Sequence, residues 1–164
     1  MSLTVRDAAP GDAQAIADIY NPYITETAAT FHTEAVDAAE RLQWLASHDV
    51  RHPVLVAEAD GQVVGWGSLT LWATRPAWHR TVEVSIYVAP GHRREGVGMA
   101  LMETLLDRAQ EAGHHVVIGQ VVADNQPSIA MAERAGFEHV GVLREAGDKF
   151  GRYHDLVLIQ KILP

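Results

Sequence analysis

Residues 81–99 constrain the fold more than any other stretch of the chain. Val82, Val84, Ile86 and Val88 alternate with Thr81, Glu83, Ser85 and Tyr87, so a strand here has one apolar face and one oxygen-bearing face. Pro90-Gly91 ends it. Arg93-Arg94-Glu95-Gly96-Val97-Gly98 then leads into a helix from about Gly96 to Ala112, with Leu101, Leu105 and Ala109 on one side and Gly113 as its stop. A strand of this kind, running through a glycine turn into an amphipathic helix, belongs in a sheet covered on both faces.

The turn itself suggests a ligand. The first amides of a helix have no partner within it, and the helix dipole favours an anion there. Gly96 and Gly98 let a ligand approach the backbone around Val97, and Arg93 and Arg94 add positive charge, which suits a pyrophosphate. A plain glycine turn with two solvated arginines uses the same residues. A nicotinamide-binding turn does not fit: it requires a third glycine where Leu101 stands, and an acidic residue about 20 positions on, whereas Asp124 lies further away.

The rest of the chain supplies the partners. Leu3 to Arg6 reads as a strand, and Pro10-Gly11-Asp12 opens a helix with Ile16, Ile19, Tyr20 and Tyr23 on one face. Asp37 and Glu40 resemble a capping box before a second helix through Leu42 and Leu45. Val54 to Ala57 and Val63-Val64 flank Asp60-Gly61, a type I′ hairpin signal. Val116 to Val122 is a strand, Pro127-Ser128 opens a short helix closed by Gly136, and strands near Val140 to Leu143 and Tyr153 to Ile162 follow. The order is strand, two helices, three strands, helix, strand, helix, two strands. It predicts one α/β domain over residues 1–164: a mixed sheet with helices on both faces.

Charge and composition exclude several classes. With 21 acidic residues against 13 basic ones and a net charge of −8, nucleic acid is not an expected partner. The absence of cysteine removes disulfides, thiolate metal sites and a cysteine nucleophile. The start of the chain has no apolar signal core and no apolar run suits a bilayer, so neither a membrane nor export is expected and the compartment is read as cytoplasmic. Among nine histidines no ligand set converges: His48 and His52 straddle a break before Pro53, and His114 and His115 face opposite sides of a strand. No metal is expected. No serine sits in a G-x-S-x-G elbow.

Arg93 to Gly98 fits the Q/R-x-x-G-x-G/A acetyl-CoA loop of the GNAT acetyltransferases, and Asn125-Gln-Pro-Ser128 with Ala135-Gly-Phe137 resembles that family's second cofactor element. Thr81 to Val88, Lys149-Phe-Gly-Arg-Tyr-His-Asp155, Phe31-His-Thr-Glu34, and Trp72 followed by Arg75 resemble more narrowly the phosphinothricin and methionine sulfoximine acetyltransferases. The resemblance implies a GNAT fold of about seven mostly antiparallel strands and about four helices. It also implies a homodimer, and direct acetyl transfer from acetyl-CoA to the α-amine of a small amino acid such as phosphinothricin, methionine sulfoximine or methionine sulfone.

The residues can be given roles on that basis. Glu83, on the polar face of its strand, is the candidate base, and burial would raise its pKa toward neutrality. The backbone of Ile86, Tyr87 and Val88 is expected to run beside the pantetheine arm, with one N–H holding the thioester oxygen. Asn125 and Ser128 approach from the other side, although Asn125 also suits a helix cap. Arg93, Arg94, Glu95, Gly96, Val97 and Gly98 form the phosphate loop. For the acceptor, Arg75 matches a carboxylate, with Arg80 as second choice. Phe31 and Trp72 would wall the pocket, Glu34 would meet the ammonium and His154 would face the pocket, although core positions suit Phe31, Trp72 and His154 equally. Where many family members carry a tyrosine acid, or the phosphinothricin enzymes often a histidine, this chain has Ala132, leaving water or Tyr87 to protonate the thiolate. The alternatives are a polyamine, aminoglycoside or protein N-terminus as acceptor, or an acyl-CoA sensor without turnover.

Overall fold

A computed structural model describes residues 2–164. Its strands are β1 (Leu3–Asp7), β2 (Val54–Ala59), β3 (Gln62–Leu71), β4 (Thr81–Val88), β5 (Val116–Val122), β6 (Glu138–Lys149) and β7 (Arg152–Ile162). Its longer helices are α1 (Ala13–Glu26), α2 (Ala38–Ala46), α3 (Val97–Glu111) and α4 (Gln126–Arg134). The element order matches the sequence expectation. The strands form one sheet in the order β1-β2-β3-β4-β5-β7-β6, and every neighbouring pair is antiparallel except β4–β5.

That parallel pair is short. It joins Thr81 to Val116, Val82 to Val117 and Glu83 to Ile118, and then ends while both strands continue. Beyond Glu83, β4 stays paired with β3 as far as Gly65–Val88, and β5 stays paired with β7 as far as Val122–Leu156. The sheet therefore opens into a V whose vertex is Glu83.

The alternation along β4 divides two cores. Val82 and Val84 pack with Leu101, Leu105 and Ala109 of α3 and with Ile129 and Ala132 of α4. On the opposite face, Tyr87 packs against Trp66 and the buried stripe Ile16, Ile19, Tyr20 and Ile24 of α1, with Trp44 and Leu45 of α2. Gly65 and Gly67 bring α3 onto β3: a Cβ at either would lie 2.9 Å from Val97 Cγ1 or 2.8 Å from Leu105 Cδ1 respectively. These glycines hid the length of β3, since Gly lacks strand propensity and the pattern shows only Val63-Val64. Asp60 and Gly61 have φ of 51° and 78°, as the expected type I′ turn requires.

Three local readings change. The segment Pro10–Asp12 forms its own 3₁₀ turn before α1, and α1 runs through Pro22 to Glu26. Asp37 caps α2 by accepting from the Glu40 amide at 2.8 Å, but the Glu40 carboxylate binds Arg41 instead of closing the capping box. The last two strands form a hairpin longer than the apolar runs suggest, with register shifts in β6 around Glu145. Among the described residues no helix is long and apolar enough to cross a membrane.

Gly67→Ala should lower stability by about 1–3 kcal/mol, because the added methyl meets Leu105 and the Ser85 carbonyl in a packed core. Gly141→Ala, with open space around it, should change it by less than about 0.5 kcal/mol. Equal effects in denaturant unfolding would contradict this account of α3 packing.

Candidate active site

The V presents an open backbone edge. Ala89 N–H donates to Val64 O on β3 at 2.8 Å, so by the pleat the N–H groups of Ile86 and Val88 are directed to the opposite edge, into the V. Tyr23 of α1 donates its hydroxyl to Val88 O and so secures the end of that edge. Arg93 lies over the Tyr23 ring, 5.3 Å from its centroid, with Nε 3.3 Å from the hydroxyl.

The loop after β4 has the backbone that its glycines suggest. Arg94 and Gly96 adopt left-handed φ of 64° and 82°, and Gly96 is the N-cap of α3 with no side chain bonding to the helix amides. Glu95 is engaged by His92 at 3.0 Å, which leaves the loop its two exposed arginines. Gly98 passes under Met131 of α4; a Cβ there would lie 2.9 Å from its sulfur. Across the V, Asn125 Oδ1 accepts from Ser128 N at 3.4 Å, so the capping role is real. Its Nδ2 makes no hydrogen bond among the described residues, and each wall of the V thus continues into a helix N-terminus.

Glu83 is half-buried at the vertex, on the face shared with Ser85 and Tyr87. Its cross-strand partner is Thr70; those of Ser85 and Tyr87 are Ser68 and Trp66. Gln120, on the diverging part of β5, donates to Glu83 Oε2 at 2.7 Å. Burial raises the Glu83 pKa above the ordinary carboxylate range, and the Gln120 bond opposes this only in part. Burial likewise pushes the Tyr87 phenol far up, so it stays protonated.

On this same face lies a cavity of about 250 Å³, walled by Thr70, Ser85, Tyr87, Trp66, Trp44 and Arg41 among others. Arg41 is 2% exposed and makes a bidentate pair with Glu40, at 2.6 and 2.8 Å. Its guanidinium lies over the Trp44 and Tyr20 rings, at 4.3 and 5.3 Å. Sequence reasoning missed Arg41. Its spacing from Trp44 and Leu45 places it on the apolar stripe of α2, which is the signal that could have found it.

The acceptor residues expected from the sequence lie elsewhere, and none of the five walls the cavity. Phe31 is exposed and presses on Gly147 of β6. His154 is buried with Nε2 2.9 Å from Lys149 O, while Lys149 Nζ donates to Thr30 O at 2.8 Å. These contacts lace the α1–α2 connection to the β6–β7 hairpin. Glu34 and Arg75 are exposed and their side chains make no hydrogen bond among the described residues, and Trp72 is half-buried. Arg80 donates to Gly113 O at 2.7 Å, committed to the end of α3. Ala132 is in the core.

Comparison with known proteins matches residues 13–137 to the acetyltransferase (GNAT) family. A methionine sulfoximine/methionine sulfone acetyltransferase of Salmonella typhimurium is 36% identical, over 96% of this chain and 93% of its own. A phosphinothricin N-acetyltransferase of Streptomyces coelicolor is 34% identical, over 97% and 95%. Among solved structures, an acetyltransferase from Salmonella typhimurium with its cofactor acetyl-CoA superposes with a TM-score of 0.96 at 35% identity, over 100% and 95% of the two chains. A ribosomal-protein-alanine N-acetyltransferase from Brucella melitensis gives 0.95 at 39% identity, over 98% and 99%.

An NMR pH titration should place the Glu83 carboxyl above the chain's exposed glutamates. Gln120→Leu, which removes the bond favouring the carboxylate, should move that midpoint higher still. A midpoint that stays or falls would show that Gln120 does not stabilise the anion.

Proposed function

We propose that this chain, which belongs to the acetyltransferase (GNAT) family and is an acetyl-CoA-dependent N-acetyltransferase, acts on the α-amine of a small amino acid of the methionine sulfoximine, methionine sulfone or phosphinothricin type. The observation that carries the mechanism is the V in the sheet, with a half-buried carboxylate at its vertex and a glycine-capped helix N-terminus at its mouth.

The residues present fit the cofactor. The open N–H groups of Ile86 and Val88 can extend the sheet onto an amide-bearing arm, with Tyr87 between them and the unpaired Nδ2 of Asn125 opposite. The amides of Gly96, Val97 and Gly98, with the Arg93 and Arg94 side chains, can hold a pyrophosphate; Glu95 contributes its backbone and Ser128 borders the far wall. Bound acetyl-CoA supplies the activated acetyl thioester. Glu83 accepts a proton from the acceptor's ammonium, directly or through a water, which frees the nitrogen lone pair for attack on the thioester carbon. A β4 N–H holds the negative charge that develops on the carbonyl oxygen. As the C–S bond breaks, the sulfur leaves as thiolate and takes up, through water, the second proton that the acylated nitrogen sheds; the Tyr87 phenol, held protonated by burial, is too weak an acid for that step. An ordinary thiol pKa of about 8.5 makes that leaving group tolerable without a dedicated acid, consistent with Ala132.

Arg75, on the β3–β4 loop six residues before β4 begins at Thr81, is proposed to hold the acceptor carboxylate. Trp72, Glu34 and the exposed Phe31 are proposed to border the approach, whereas His154 is engaged by Lys149 O of its own hairpin. The exposed Val140, Val142, Leu143, Tyr153 and Ile162 lie on the edge hairpin and support a symmetric homodimer, which light scattering would report as twice the chain mass. The Brucella relative supports a second acceptor, a protein N-terminal amine.

Free-thiol release should be faster with methionine sulfone, methionine sulfoximine or phosphinothricin than with spermidine, aminoglycosides and N-terminal peptides. Arg75→Ala should raise KM for these amino acids about tenfold or more, through loss of a charged hydrogen bond. Release with peptides or polyamines alone would overturn the acceptor assignment. Glu83→Gln should lower kcat by about 10²–10⁴ with cofactor affinity nearly unchanged. Glu83 must be ionised to act, so kcat/KM should climb with pH through its raised pKa and level off above it, and that limb should vanish in the variant.

A further inference from the structure

The cavity beside Glu83 has a polar inventory more specific than its size. Arg41 spends Nε and one Nη on Glu40, at 2.6 and 2.8 Å, and its other Nη makes no hydrogen bond among the described residues. Trp66 also walls the cavity; it is 2% exposed, and its indole N–H is buried without a partner. A buried N–H left unpaired is costly, so the Trp66 donor calls for an oxygen acceptor that the protein does not itself provide, and the free Nη of Arg41, a residue of the same wall, can add a second hydrogen bond to it.

The charge of that acceptor is constrained as well. Arg41 and Glu40 cancel, and His32, also in the wall, is held toward its neutral form mainly by burial. No uncompensated cation faces the cavity. A second anion placed there would be desolvated beside the Glu40 carboxylate with nothing to neutralise it. A thioether or alkyl group would leave the buried Trp66 donor unpaired and offer Arg41 nothing. Ser68, Thr70 and Ser85 complete the wall with hydroxyls, which can donate or accept.

We infer that this cavity is a side-chain subsite for a neutral group rich in oxygen acceptors, such as a sulfone, sulfoximine or carboxamide, and that Arg41, Glu40 and Trp66 discriminate it from both anionic and thioether side chains. The inference rests on the amino-acid acceptor proposed above, whose amine meets Glu83 while its side chain enters past Thr70 and Ser85. Glu40 is the charge selector: its carboxylate keeps Arg41 from acting as an anion receptor.

The test compares kcat/KM for methionine sulfone, methionine and phosphinothricin in the full chain with acetyl-CoA, for the wild type, Trp66→Phe and Glu40→Gln, with thermal unfolding to confirm folding. The wild type should favour methionine sulfone over both others. Trp66→Phe should reduce the sulfone-to-methionine ratio about tenfold, the size expected for one lost buried donor. Glu40→Gln should shift the sulfone-to-phosphinothricin ratio toward phosphinothricin. A wild type that prefers phosphinothricin, or ratios indifferent to both substitutions, would overturn the inference. Failure to acetylate any amino acid would instead sink the acceptor assignment. Calorimetric titration of methionine sulfone into the CoA-bound protein then decides the cavity's role: binding weakened in Trp66→Phe upholds it, and no binding overturns it.

Discussion

The early end of the β4–β5 pairing governs the rest of the structure. Two parallel strands that part after three paired residues leave a row of backbone amides without a protein partner, and an unpaired edge in the middle of a sheet is unstable unless something else pairs with it. Here the sheet is held open from outside the V. β4 is fixed to β3 along its whole length and β5 to β7, so neither strand can swing in to close the gap. Tyr23 takes the Val88 carbonyl from above, and α3 and α4 begin at the two upper ends of the V. The opening is therefore a rigid slot, preorganised for an amide-bearing ligand.

The vertex of that slot is also where a carboxylate can be tuned. Glu83 sits on the last residue pair before the strands part, close enough to the sheet to be desolvated and open enough for proton exchange. Gln120 reaches back across the V to one of its oxygens. The two influences oppose each other, and burial dominates, which leaves the carboxyl above its ordinary range. The same face carries a second charged group. Arg41 is more deeply buried than Glu83, and its bidentate partner and two aromatic faces hold its guanidinium in place.

What was legible in the sequence follows from the range of the interactions. The β4 alternation, the Asp60-Gly61 turn and the Gly96 cap are local, so residue type and spacing revealed them and Glu83 with them. The full length of β3 was hidden because Gly65 and Gly67 serve a distant helix rather than their own strand. Arg41 was hidden because an arginine beside a glutamate on a short helix reads as a solvated pair; only the tertiary stacking of α2 on Tyr20 and Trp66 buries it. His154 shows the reverse case. Its place in a motif suggested a pocket, and the hairpin uses it to bind its own Lys149 carbonyl.

These two kinds of residue have different consequences for how such a chain can change its acceptor. The slot and the carboxylate at its vertex are built from backbone direction and one strand position, so they tolerate little variation without loss of the sheet itself. The cavity wall is built from side chains of α1, α2, β3 and β4 that meet only in the folded state, and Glu40 can alter the effective charge of Arg41 without altering the slot. If the cavity takes the acceptor side chain as proposed, single substitutions on α2 would move acceptor selectivity while Glu83 and the open edge of β4 stay as they are. Such a separation suits a fold whose relatives are named for methionine sulfoximine and sulfone, for phosphinothricin and for ribosomal-protein alanine.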